Sequence, residues 1–211
     1  MEEETNLFDD LAAAPALRFG LYGKLPAIGD FVVRGLPRSQ VAPLDQWLQA
    51  GLGALQQSDP DWLQPYLVAP AWCFVLPRGI WGETALCGAL MPSVDRVGRY
   101  FPLVTLGELS EAQAANRPDL CSHLAELAGA MPAVLHEGLE PDAFMSKVEA
   151  LGFWPLANPV AVPSVFERFA WEGDCSLWWA ATRPDQPYRQ YSHRGVPDAV
   201  LFRCLFGPRV A

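Results

Sequence analysis

Two rhythms of apolar positions run along this chain, and they divide it into elements. Leu17–Gly23 and Gly29–Gly35 are short apolar runs closed by glycine turns, which predicts two strands paired as a hairpin. After Pro37 the spacing lengthens. Val41, Leu44, Trp47, Leu48, Leu52 and Leu55 recur three and four residues apart, so a helix follows, with Ser39 as its cap and Asp45 in an early turn. Asp59–Trp62 opens another short helical turn or loop, and Pro65 and Pro70 keep the stretch before the next strand irregular. Three apolar runs beginning at Ala71, Thr84 and Phe101, with short connections, predict an antiparallel meander. Leu120, Leu124, Leu127, Met131 and Leu135 return to helical spacing, with a kink expected at Pro132, and Pro141 starts a second helix.

The order β-β-α-β-β-β-α-α points to an α+β fold: a layered sandwich whose mainly antiparallel central sheet is flanked by helices. Beyond Gly152 the chain turns to proline and aromatic residues. The run around Trp178 and Trp179 and the run Ala199–Phe206 read as two further strands, separated by a polar loop over 182–195. A separate domain of that size would bury too small a share of its surface, so these strands are assigned to the same sheet. The expected organisation is an acidic flexible tail over 1–16 and one domain over 17–211, with a motif-bearing core (17–138) and a C-terminal elaboration (139–211). Trp178 and Trp179, adjacent on a strand, face opposite sides of the sheet. One belongs in the core, and the other is to be covered by a helix rather than offered to a partner.

Half of the residues (51%) are hydrophobic and 18% are charged, enough apolar surface to fold and too much for a disordered chain. Acidic residues outnumber basic ones by 24 to 15, and Lys24 and Lys147 are the only lysines, which speaks against nucleic-acid binding. Glu2, Glu3, Glu4, Asp9 and Asp10 precede the first basic residue, Arg18, so much of the acidity sits in the tail. With no basic leader and no run of about 18 apolar residues, neither export nor membrane insertion is expected, and the protein is expected in the cytoplasm. Cys73, Cys87, Cys121, Cys175 and Cys204 are widely spaced and read as small buried hydrophobes. No CxxC occurs, Cys121 and His123 would point to different faces of a helix, and His136 and His193 are isolated. Neither a metal, nor a cofactor, nor a Cys/His catalytic centre is expected.

Two stretches concentrate charge. In Gly20–Pro37, Gly23, Pro26 and Gly29 shape a turn around Lys24 and deliver Asp30 and Arg34 beyond it. A phosphate loop fails on spacing, because Gly20 is three positions from Gly23 and Leu25 and Pro26 follow the lysine. In Met91–Leu103, Ser93, Asp95, Arg96, Arg99 and Tyr100 lie between two strands. With Ser93 capping a short helical turn, Asp95 and Arg99 would meet at i and i+4 while Arg96 reaches a carboxylate such as Asp30. The guanidiniums then either lock a structural network or stand exposed as a clamp for a carboxylate or phosphate. Ser93 has no elbow glycines, no lysine three residues on and no histidine partner, so it is not read as a nucleophile.

Taken in order, Phe19–Pro37, the helix containing Leu44–Leu52, the segment Ala69–Leu76, and above all Gly88–Leu103 (GALMPSVDRVGRYFPL) resemble the TagF (ImpM) family of type VI secretion accessory proteins. Ser176–Trp179 is similar to that family's C-terminal part. The resemblance implies a non-enzymatic, cytoplasmic, post-translational repressor that binds a forkhead-associated scaffold protein and withholds it from assembly. Some family members carry a phosphatase domain, for which the residues after Leu109 leave no room. The motif residues carried over are Lys24, Asp30, Arg34, Trp47, Ser93, Asp95, Arg96 and Arg99, without any statement of which touch the partner. The alternative is an enzyme or small-molecule binder holding an anion with Lys24, Arg96 and Arg99. If the charged residues instead pair internally, the partner surface lies elsewhere, at Trp178/Trp179 or beyond Gly152.

Overall fold

The computed structural model describes residues 17–151, 163–167, 169–180 and 189–208. The acidic tail, and most of the proline-rich segment after Gly152, lie outside the described residues. Strands β1 (Phe19–Gly23) and β2 (Val32–Arg34) form the expected hairpin. Helices α1 (Arg38–Ser58) and α2 (Leu63–Leu67) follow, then β3 (Trp72–Leu76), β4 (Ala85–Met91) and β5 (Leu103–Leu109), paired antiparallel in sequence. Next come α3 (Glu111–Ala115), α4 (Arg117–Ala130), α5 (Ala133–His136), α6 (Pro141–Glu149) and α7 (Ser164–Glu167). The last elements are β6 (Cys175–Ala180), β7 (Arg189–Arg194) and α8 (Ala199–Phe206). The strands make one seven-stranded antiparallel sheet in the order β2-β1-β5-β4-β3-β6-β7, an α+β fold. The β3–β5 meander lies at its centre, with one hairpin added on either side.

Each face of the sheet carries its own core. On one, Leu21, Val75, Cys87 and Leu103 pack with Leu120, Leu124 and Leu127 of α4 and Phe144 of α6. On the other, Tyr22, Phe74, Leu90 and Trp178 pack with Leu44, Trp47 and Leu48 of α1 and Phe202 and Phe206 of α8. Each fully buried Leu or Phe stabilises by about 1.5–3 kcal/mol, so helices on both faces follow from a sheet that is apolar on both. Trp178 and Trp179 are both sealed, one in each core. The helical spacing over 118–135 divides at Met131–Pro132 into α4 and α5, and Leu135, the last position of the stripe, is exposed.

Four local expectations are corrected. Ala199–Phe206 is a helix, not a strand: Asp198 caps it by accepting the Leu201 N–H at 2.9 Å. The strand that follows β6 lies instead inside the polar segment, at Arg189–Arg194. Helix α1 starts at Arg38 with Pro37 at the cap position, which places Ser39 inside the first turn. Of the cysteines, Cys73, Cys87 and Cys121 are buried, but Cys175 is half-buried and Cys204 is exposed on α8.

Candidate functional site

The topology brings the two charged bends together. Gly23 pairs with Leu103, and Leu103 with Met91, so the end of β1, the end of β4 and the start of β5 share one end of the sheet. The β1–β2 loop and the β4–β5 turn leave from that end side by side. Gly23 has a φ of 131° and no room for a side chain, since a Cβ there would stand 2.1 Å from the Pro102 carbonyl oxygen.

Asp95 is the centre of the corner. Its side chain is fully shielded from solvent; Oδ2 accepts from Lys24 Nζ at 2.8 Å and from Arg99 Nε at 2.7 Å. Oδ1 accepts the backbone N–H of Val97 at 3.0 Å and of Arg99 at 2.9 Å. The carboxylate therefore caps its own turn and ties it to the other loop. Burial alone would raise the Asp95 carboxyl; the Lys24 and Arg99 cations and the two backbone donors outweigh it and hold the group well below the usual carboxylate range. Gly98, with φ at 84°, lets the turn close, and Val94 and Tyr100 bridge its base.

Further bonds fasten loop to loop. Ser93 Oγ donates to the Lys24 carbonyl at 2.7 Å, and its N–H donates to the Tyr66 hydroxyl at 3.3 Å. The Arg96 N–H donates to the Ile28 carbonyl at 3.0 Å, and Arg99 Nη2 to the Gly29 carbonyl at 2.5 Å. Behind them Phe31 stacks on Tyr22 and meets Phe101 edge-on, with the Lys24 ammonium 4.9 Å from the Phe31 ring centre.

Of the motif residues, Lys24, Ser93, Asp95, Arg96 and Arg99 thus converge. Ser93 does not cap a helical turn; Asp95 takes that part. Arg96 does not pair with Asp30. Asp30 is exposed and its carboxylate accepts the Phe31 N–H at 2.8 Å, while Asp95, sitting between the loops, recruits Lys24 and Arg99 instead. Arg34 lies apart on β2, bonded to Asp142 of α6 at 2.7 Å on the rim of an open cleft of about 1000 Å³. Trp47 belongs to the aromatic core, donating its indole N–H to the Asp198 carbonyl at 2.8 Å. Lys24 is buried, Arg99 is pinned yet 57% exposed, and Arg96 is exposed without an ion pair among the described residues. The motif is therefore structural at Lys24 and Asp95 and open to solvent at Arg96 and Arg99.

Sequence reasoning missed Phe31, Tyr66 and the Ile28 and Gly29 carbonyls. The alternation Phe31-Val32-Val33, with only Val32 buried, was the available signal for an outward Phe31.

Residues 20–151 match the TagF N-terminal domain, described as type VI secretion system-associated. The chain belongs to the TagF family. The fold is similar to the crystal structure of PA0076 from Pseudomonas aeruginosa PAO1, at 31% identity and a TM-score of 0.69, over 92% of this chain and 96% of that one. No curated protein matches the chain. The TagF match spans the whole corner, from Gly20 through Arg99, whereas β6, β7 and α8 fall outside it. Within the described residues no helix is long and apolar enough to cross a membrane, and no cluster of His, Cys, Asp and Glu is arranged to hold a metal ion.

Proposed function

We propose that this member of a type VI secretion-associated family is a non-enzymatic, post-translational repressor that docks a forkhead-associated scaffold protein at the Arg96 corner and keeps it from assembly. One observation carries the proposal: Asp95 holds the two loops together while leaving the Arg96 guanidinium exposed and, among the described residues, without an ion pair. Exposed Val97 on the same turn and exposed Phe31 on the facing loop add apolar area beside it. An arginine flanked by exposed apolar side chains on a preorganised turn has the composition of an interface centre. An anion clamp of Lys24, Arg96 and Arg99 is less well supported, because the lysine is already committed to Asp95 inside the fold.

The test is capture of the scaffold by purified Arg96→Glu protein, with secretion measured in cells carrying the same substitution. Capture should fall at least tenfold and secretion should rise, with the melting temperature unchanged. Wild-type capture by the folded variant would remove this corner from the docking surface.

A further inference from the structure

At the far edge of the sheet, β7 offers a second recognition surface. All six of its residues are in continuous register with β6, from Cys175↔Arg194 to Ala180↔Arg189, with neither bulge nor proline. Gly195 donates its N–H to the Asp174 carbonyl at 2.6 Å, and the His193 carbonyl accepts from Ser176 Oγ. Inward bonding therefore falls on the odd-numbered residues, and the N–H and C=O groups of Gln190, Ser192 and Arg194 point outward. Among the described residues no strand pairs with that side. Beside the edge is an open cleft of about 790 Å³, lined by Arg189, Tyr191 and Arg203 with Ser58, Asp59 and Cys204. Residues 189–208 carry three arginines and one aspartate in a chain whose net charge is −9.

We infer that β7 binds an extended, acidic segment of a partner protein as an eighth strand. The ladder comes from the outward groups of Gln190, Ser192 and Arg194, and the carboxylates at alternate positions are read by Arg189 and Arg203. Arg189 is held over the Trp72 ring at 4.9 Å and Arg203 stands in the last turn of α8, so both come from ordered elements. Charge decides the occupant: a second copy of this chain would set the same arginines on both sides of the new pair, whereas an acidic strand neutralises them.

The probes are a seven-residue peptide alternating Glu and Val, the same peptide with Lys for Glu, and the acidic peptide N-methylated on the bonding side. Fluorescence anisotropy with the full chain should show the acidic peptide binding at least tenfold more tightly than either control, weakening with salt. Amide exchange should slow at Gln190, Ser192 and Arg194. Ser192→Pro removes an outward N–H that no described strand uses, and should cost tenfold or more in affinity. Arg203→Glu should do the same, while Arg96→Glu should leave peptide binding unchanged. Equal binding of the three peptides, no binding of the acidic one, slowed exchange elsewhere, or self-association lost in Ser192→Pro without peptide binding would each overturn the inference.

Discussion

At the corner where β1 and β4 end and β5 begins, two of three cations close on one buried carboxylate; at the β7–α8 edge, the arginines lie on a ring face, in an exposed ion pair or in open solvent. Leu25 and Phe101 anchor the two loops of the corner in the cores below, and a four-bonded Asp95 joins the loops to each other. The edge is joined by aromatic packing: Trp72, Tyr191, Trp178 and Phe202 lie among one set of rings, and the Trp72 indole donates to the Leu205 carbonyl. A charged residue is thus read differently in the two places. At the corner charge is first a fold element and only at Arg96 a surface; at the edge it is surface from the start.

The strongest way to break this contrast is Asp95→Ala, which leaves Lys24 buried and unpaired and should destabilise the chain by about 3–5 kcal/mol in urea unfolding. The same contact carries a pH signature. The folded Asp95 sits below its ordinary value of 3.8, so its stabilisation is complete above that value and is lost as pH falls below it. Wild-type stability should therefore drop between neutral pH and about pH 3 more steeply than that of Asp95→Asn, measured by the same denaturation. At the edge, Gly51→Ala drives a methyl group to 2.4 Å from the Phe202 ring and should cost roughly 1–3 kcal/mol by prising α8 from α1. Arg99→Ala, whose side chain is half in water, should cost only about 1 kcal/mol. Arg34→Ala breaks an exposed pair with Asp142 and should cost less than about 1 kcal/mol by thermal melt. A small Asp95→Ala effect would mean that packing, not charge, closes the corner.

How far the sequence reaches differs between the same two regions. Strands β1–β6 were legible as short apolar runs and α1 by its helical period, and Asp95 with Arg99 was legible from spacing alone. Lys24 was not, since its bond to Asp95 spans 71 residues and exists only once β1 and β4 flank β5. Helix α8 was misread because an almost unbroken apolar run has no period to distinguish helix from strand; the Asp198 cap carries the information. Strand β7 was hidden for the opposite reason. Arg189, Tyr191 and His193 alternate as a strand should, but they turn long amphipathic side chains toward the core and look polar in a count.

The burial of Lys24 has a practical consequence. The chain has two lysines, and one is sealed against Asp95, which leaves Lys147 on α6, 42% exposed in its pair with Glu137, as the accessible lysine amine. Acylating dyes, biotin esters and amine cross-linkers will therefore fall on Lys147 and the chain's α-amino group. Tethered through Lys147, the protein would leave the guanidiniums of both proposed docking surfaces chemically untouched for binding measurements.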